Sequence, residues 1–534
     1  MTILGLHYIG GKRLAAGTPL NSVDAVTGER HPVSFHEATD AEVAAAALAA
    51  HRAFPALRAT SPTERAALLK AIADEIDALD HVFIAAASRE TALPPARLEG
   101  ERKRTSNQLR MFAATVRRGD FFDVRIDRAQ PGRKPLPRPD LRQFRVGVGP
   151  VAIFGAGNFP LAFSVAGGDT ASALAAGCPV VVKAHPGHMV TSEYVANAVE
   201  RAIARCGAPA GIFNMVFGTS TAGAALVRAP HIKAVGFTGS LAAGRALFDM
   251  ARARPDPIPV FAEMSSVNPV FLMPSALSAR SAQIARELAA SVTFGCGQLC
   301  TNPGLVLGVR SPAFEAFVAE LGTALALAEA QPMLGAGIRD NFRRGLARLS
   351  EVPGIEALMS MEVEGRVSGH LLKADRSLLF AQERPLEEEV FGPSTVIVAL
   401  DSEDDFLAFA ERMRGQLTAT LMADDSDLPQ HAALVELLEG KVGRLLFNGY
   451  PTGVEVSDAM VHGGPYPATT DVRGTSVGSA AIERFLRPVC YQNYPDALLP
   501  PALRERNPWN LPRLVDGVPT RDAPLDARSL EAAA

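Results

Sequence analysis

Residues 149–183 read Gly-Pro-Val-Ala-Ile-Phe-Gly-Ala-Gly-Asn-Phe-Pro-Leu-Ala-Phe-Ser-Val-Ala-Gly-Gly-Asp-Thr-Ala-Ser-Ala-Leu-Ala-Ala-Gly-Cys-Pro-Val-Val-Val-Lys. Two short apolar runs, Val151–Phe154 and Val180–Lys183, flank a helical stretch of small residues, and the pattern continues through Phe213–Val216 and Ala234–Thr238. Runs that are apolar throughout, rather than alternating, suit strands buried on both faces of a parallel sheet, so the fold class is α/β. Towards the N-terminus, Gln143–Val151 has extended character, Arg117–Pro139 is a connector dense in Arg, Asp and Pro, and Ala41–Asp80 is alanine-rich and helical. The first thirty residues alternate apolar pieces with Gly-Gly and Thr-Gly-Glu, a hairpin signal. Towards the C-terminus a second α/β stretch spans about Ala276–Gly449, and Ser476-Val-Gly is expected to be a strand that pairs with the connector or a partner subunit. A chain of 534 residues exceeds one ordinary core, so two or three structural units are expected.

Composition narrows the class of partner. Hydrophobic residues make up 48% and charged residues 21%, and 53 basic against 57 acidic side chains leave a net charge of −4. That balance argues against nucleic acid and for a small molecule. The five cysteines (178, 206, 296, 300 and 490) are scattered and odd in number, which suits a reducing, cytoplasmic setting. None sits in zinc-finger spacing, so no metal is expected. No targeting segment and no membrane-spanning run is read. The final Ser-Leu-Glu-Ala-Ala-Ala enters no functional argument.

Three residues in glycine- or proline-bearing sequence carry the chemistry: Asn158 in Gly-Asn-Phe-Pro, Glu263 in Ala-Glu-Met-Ser-Ser, and Cys300 closing Gly-Cys-Gly-Gln-Leu-Cys. They supply an amide donor, a carboxylate and a thiol, which is what nucleophilic attack on a carbonyl and hydrolysis of the resulting thioester require. Cys296, four residues before Cys300, reads as a packing residue, with redox pairing to Cys300 as the other reading. Gly155-Ala-Gly157 is not a complete dinucleotide fingerprint, because Pro160 stands where the third glycine belongs. Phe237-Thr-Gly-Ser240 after a strand is the better cofactor signal: Gly239 and Ser240 allow close backbone approach of a pyrophosphate to a helix N-terminus.

With Phe154-Gly-Ala-Gly-Asn-Phe-Pro-Leu-Ala-Phe163, Glu263-Met-Ser-Ser-x-Asn-Pro and His462-Gly-Gly-Pro-Tyr-Pro467 around them, these residues resemble the aldehyde dehydrogenase superfamily over nearly the whole chain. The likeness is strongest to its α-ketoglutarate-semialdehyde (2,5-dioxovalerate) and bacterial NADP-dependent fatty-aldehyde branch. It implies an aldehyde-dehydrogenase-like fold: a Rossmann-type NAD(P)-binding domain (1–125 and 150–275), an α/β catalytic domain (276–460), a small β oligomerisation element with tunnel-lining segments (126–149 and 461–500), and a C-terminal extension (501–534). It implies a homodimer or homotetramer. In roles, Cys300 becomes the nucleophile, Asn158 an oxyanion donor and Glu263 the base that activates the deacylating water. Lys183 is assigned to the adenosine ribose, Glu389 to the nicotinamide ribose and Phe391 to the ring beside the nicotinamide. Phe159 and Arg110 are assigned to the substrate tunnel, with Arg473 as a second candidate to hold a distal carboxylate. The implied reaction oxidises an aldehyde to a carboxylate, with 2,5-dioxopentanoate as the substrate and a medium- or long-chain fatty aldehyde as the alternative. A non-catalytic structural or binding paralogue would have lost one of Asn158, Glu263 or Cys300. For the cofactor, Pro186 replaces the glutamate of NAD-preferring relatives, and Pro186 and Thr221 replace the threonine and arginine that hold a 2′-phosphate in others. With Lys183, His185, Thr219 and Ser220 as remaining donors, NADP is slightly favoured and NAD accepted.

Overall fold

Val151–Phe154, Val180–Lys183, Phe213–Val216 and Ala234–Thr238 are strands at the residues that the apolar runs mark out, in a computed structural model that describes residues 2–522 apart from 364, 426 and 428. With Val260–Glu263 they form the parallel part of a seven-stranded sheet, whose far edge is the N-terminal hairpin of His7–Ile9 and Lys12–Leu14. Side chains alternate across the sheet. Val151, Ile153, Val180 and Val182 pack with Leu174 and Val195 on one face, whereas Ala152, Phe154, Val181 and Val216 pack with Val43, Ala47 and Leu226 on the other. Burial of both faces is the reason the runs are apolar throughout. The helix Asp40–Ala59 on the second face opens with a capping box, in which Thr39 accepts the Glu42 N–H and Glu42 accepts the Thr39 N–H.

The registers pair Phe154 with Lys183, Lys183 with Val216, and Thr238 with Glu263. All five parallel strands therefore end on one rim. Strands Val151–Phe154 and Ala234–Thr238 are neighbours although two others intervene in the chain, so the winding direction reverses between them. In an open parallel sheet, a crevice opens at such a reversal.

A second seven-stranded sheet orders Ile355–Met359, His370–Ala374, Ser394–Leu400, Leu305–Val309, Val270–Leu272, Thr418–Met422 and Arg444–Phe447. Only its first strand is antiparallel to its neighbour. Val270–Leu272 lies in this sheet, which moves the border between the units upstream of 276.

The third sheet corrects one expectation. Residues 476–478 form no strand; the late strand is Leu486–Gln492, antiparallel to the strand Leu141–Gly147 that follows the connector, from Leu486↔Gly147 to Gln492↔Leu141. Val124–Asp127, Arg513–Val515 and Val518–Thr520 complete it. Part of the expected C-terminal extension is thus integral to this sheet, with Leu511 buried against Gly119; residues 523–534 lie outside the described chain. Among the described residues no helix is long and apolar enough to cross a membrane.

Candidate active site

Asn158 and Glu263 lie on the rim of the first sheet, in the loop after Phe154 and at the end of its strand. Cys300 comes from the loop that leads into Leu305–Val309 of the second sheet. That loop turns tightly: Gly295 and Gly297 have φ of 58° and 61°, and a Cβ on Gly297 would fall 2.4 Å from the Gly392 backbone. Only glycine fits there. Asn268 holds the loop by donating its side-chain amide to the carbonyls of Cys300 and Asn302, each at 2.9 Å. The Asn158 amide donates to the Gln298 carbonyl at 3.0 Å, which aims it at the same loop. Behind it, the helix Pro95–Arg118 grips the Asn158 loop: Arg97 donates to the Asn158 carbonyl at 2.9 Å, and the Glu101 carboxylate accepts the N–H groups of Leu161 and Ala162 at 2.8 and 2.9 Å.

Cys300, His462 and Glu263 form one cluster. His462 Nε2 lies 3.3 Å from Cys300 Sγ and 3.0 Å from Glu263 Oε1, while Ser476 Oγ donates to Glu263 Oε2 at 2.6 Å. A carboxylate only accepts, so a His462 proton is assigned to Nε2; its Nδ1 is buried without a partner. The histidine is placed by its own backbone, which donates to Thr475 Oγ1 at 2.9 Å and accepts from the Ser476 N–H at 2.8 Å. Burial pushes the Glu263 carboxyl up, but the charge and hydrogen bond of His462, with the hydrogen bonds of Ser476 and Cys300, bring it below the usual carboxylate value. Burial, followed by the neighbouring Glu263 and Glu389 carboxylates, holds the Cys300 thiol well above its ordinary value. The resting pair is therefore thiol and carboxylate, with the acceptor for the thiol proton already in contact. The ligand-type atoms of these three residues all lie within 4.8 Å of one another, a grouping that their separation in sequence conceals.

Cys300 opens on a cleft of about 970 Å³. Gly157, Asn158, His185, Gly239, Ser240, Glu389 and Phe391 are among the residues that line it. A Cβ on Gly157 would meet the His185 ring at 3.0 Å, and one on Gly239 would meet the Phe237 ring at 2.6 Å, so the backbone there is bare to whatever fills the cleft. Ser240 caps the helix Leu241–Arg252 by accepting the Ala243 N–H at 3.3 Å. Burial and then the charge of Glu263 outweigh the Ser265 hydrogen bond and push the Glu389 carboxyl up to about 8; burial brings Lys183 down to about 8. A long cleft with bare backbone at a helix N-terminus and the half-buried Glu389 carboxyl in its lining fits a dinucleotide.

The structure brings Asn158, Glu263 and Cys300 together, lines the cleft with Gly239, Ser240, Glu389 and Phe391, and sets Lys183 at its sheet rim. It does not bring Arg110 or Arg473 to the site. Arg110 turns to the helix Pro62–Asp77 and pairs with Asp74 and Asp77 at 2.8 and 2.7 Å, because its face of the helix meets that neighbour. Arg473 is 85% exposed and pairs with Asp471 at 2.9 Å. Phe159 instead carries Arg97 and Arg104 over its ring, at 5.0 and 6.0 Å from the centroid. Cys296 is buried among Met333, Phe342 and Val367, as the packing reading has it, and burial raises its thiol to about 12. Sequence reasoning missed the contacts of His462 and Ser476; His462 stood in a quoted motif, but nothing local shows what a side chain 162 residues from Cys300 will touch.

The aldehyde dehydrogenase family model matches residues 15–487. An α-ketoglutaric semialdehyde dehydrogenase of Acinetobacter baylyi is 52% identical over 522 residues, covering 97% of this chain and 99% of the relative. α-Ketoglutaric semialdehyde dehydrogenase 2 of Azospirillum brasilense is 52% identical over 526 residues, covering 97% and 99%. In fold, lactaldehyde dehydrogenase of Escherichia coli superposes with a TM-score of 0.78 at 21% identity, covering 91% of this chain and 98% of that one. NADP-dependent glyceraldehyde-3-phosphate dehydrogenase of Bacillus halodurans, solved with NADP, gives 0.78 at 20% identity, covering 92% and 99%. The chain belongs to the aldehyde dehydrogenase family and is an oxidoreductase that acts on an aldehyde.

Proposed function

We propose that this enzyme oxidises 2,5-dioxopentanoate to 2-oxoglutarate through a thioester on Cys300, with NAD or NADP bound in the cleft. The observation that carries the chemistry is the contact chain from Cys300 Sγ through His462 Nε2 to Glu263 Oε1. Glu263 takes the thiol proton, and the thiolate forms a bond to the aldehyde carbon. The oxyanion that results faces the Asn158 amide and the Cys300 N–H; losing one such donor typically costs roughly 10²–10³ in rate. Gly239 and Ser240 would hold the pyrophosphate, Lys183 the adenosine ribose, and Glu389 and Phe391 the nicotinamide end; bound there, the nicotinamide supplies the hydride acceptor. Once the carbon–hydrogen bond of the adduct has broken to leave the thioester, and Glu263 has passed the thiol proton to solvent, the regenerated carboxylate takes a proton from water, hydroxide adds to the acyl carbon, and the carbon–sulfur bond breaks to release the carboxylate and the thiolate, which is reprotonated. His462 and Ser476 keep the carboxylate oriented through both proton transfers.

The choice of substrate is supported by the two relatives at 52% identity and by the charge beside the nucleophile. Arg104 lies against Phe159 and Phe163, close enough to Cys300 to feel its charge, with its Nε buried and unpartnered and Nη1 on the Val454 carbonyl at 2.8 Å. Among the described residues it forms no ion pair. Steady-state kinetics with 2,5-dioxopentanoate, hexanal and decanal tests the reading. The dioxo acid is expected to have the highest kcat/KM; a higher value for decanal would make this a fatty-aldehyde enzyme.

A further inference from the structure

The strand Val180–Lys183 follows the first strand of the parallel sheet and is its neighbour, with its end on the rim of the crevice. In dinucleotide folds that position faces the adenosine ribose, where a carboxylate bonds the 2′-hydroxyl or a cation takes a 2′-phosphate. Here the segment after Lys183 is Ala-His-Pro and holds no carboxylate. One arrives from elsewhere in the chain. Glu37, between the strand Arg30–His36 and the helix Asp40–Ala59, reaches across to the turn at 218–222. Its carboxylate accepts the Thr219 N–H at 2.9 Å, the Thr219 hydroxyl at 3.1 Å and the Ala222 N–H at 3.2 Å. It thereby occupies the N-terminus of the helix Ser220–Arg228, whose N-cap residue provides no side-chain cap of its own. Lys183 pairs in register with Val216, two residues before Gly218, and its ammonium senses the Glu37 charge, yet among the described residues that ammonium makes no hydrogen bond or ion pair.

We propose that Glu37 selects NAD over NADP, taking the part of the acidic residue missing at position 186. The inference rests on the dehydrogenase reading above. A 2′-phosphate at the rim would meet a carboxylate, and two backbone donors of the 218–222 turn, the Thr219 and Ala222 N–H groups, are already bonded to that carboxylate. A neutral 2′-hydroxyl can donate to it instead. Among the described residues Lys183 is the cation placed there by strand register, and burial first, then the neighbouring His188 and Lys183, keeps His185 neutral. The preference is thus opposite to the NADP lean drawn from Pro186 and Thr221.

Titration calorimetry with NAD, NADP, adenosine 5′-monophosphate and adenosine 2′,5′-bisphosphate reads the adenosine end without turnover. Wild type is expected to bind NAD at least about tenfold more tightly than NADP, since like-charge juxtaposition in a site of this kind is costly. Glu37→Gln should cut that ratio by about tenfold, mainly by tightening NADP and the bisphosphate. Glu37→Asp, which keeps the charge, should retain most of the wild-type ratio and separates charge from a fault in packing. Wild type binding NADP as tightly as NAD, or Glu37→Gln weakening all ligands equally, would overturn the proposal. Binding of neither dinucleotide by wild type would remove the dehydrogenase reading and this inference with it.

Discussion

A thiol in contact with a carboxylate is poorly ionised, because each negative charge disfavours the other. Burial adds to the effect, and together they hold Cys300 as a thiol. The same contact makes Glu263 the immediate acceptor of its proton, with His462 and Ser476 keeping the carboxylate charged in a buried place. Glu263→Gln separates the two consequences. The amide cannot take the proton, so at pH 7 the rapid burst of reduced cofactor should slow by roughly 10²-fold or more. It also removes one of the charges that raise the thiol while burial, the larger cause, remains, so the burst should recover in part between pH 7 and about 9 while steady turnover stays low for want of a base for water. Rapid-mixing absorbance at the two pH values checks this. A fast burst at pH 7 would confine Glu263 to deacylation.

At the scale of elements, the helix Pro95–Arg118 does more for the site than its sequence announces. Its Arg97 and Glu101 fix the loop that carries Asn158, and Arg104, seven residues on from Arg97, lies against Phe159 and Phe163 of the same loop. Burial lowers the Arg104 guanidinium, and Glu101, Cys300 once it is a thiolate, and Glu455 oppose that. A charge-assisted hydrogen bond contributes about 1.5–3 kcal/mol, so Arg104→Met should raise KM for 2,5-dioxopentanoate by roughly 10–100-fold. KM for hexanal should change less than about threefold. Equal rises for both aldehydes would make Arg104 a support for Phe159 and not a carboxylate ligand. The strands of the first sheet were legible because both-face burial writes a continuous apolar run. The choice between Arg104 and Arg110 was not, since six residues of helix place them on different faces and only the packing of Pro62–Asp77 shows which one is taken up by Asp74 and Asp77.

Across the whole molecule, the site is assembled from three stretches that meet only after folding: the rim of the first sheet, the loop entering the second, and the late segment that brings His462 and Ser476. Asn158, Glu263 and Cys300 were legible because each sits in a local motif. His462 was not assigned because its partners are 199 and 162 residues away. Nothing local marks Glu37 either, its contacts lying 182 and 185 residues on. The strand at Leu486–Gln492 was misplaced to 476–478, where Ser476 serves the catalytic cluster instead of a sheet. The central claim is that these stretches converge on a thioester at Cys300. It is tested most directly by acid-quenching Glu263→Gln at pH about 9 with NAD and 2,5-dioxopentanoate and sequencing, by mass spectrometry, the tryptic peptide that carries both Cys296 and Cys300. One acyl group on Cys300 that forms only when aldehyde and NAD are both present is the predicted result; an unmodified peptide alongside a full burst of reduced cofactor, or an acyl group on Cys296, would contradict it.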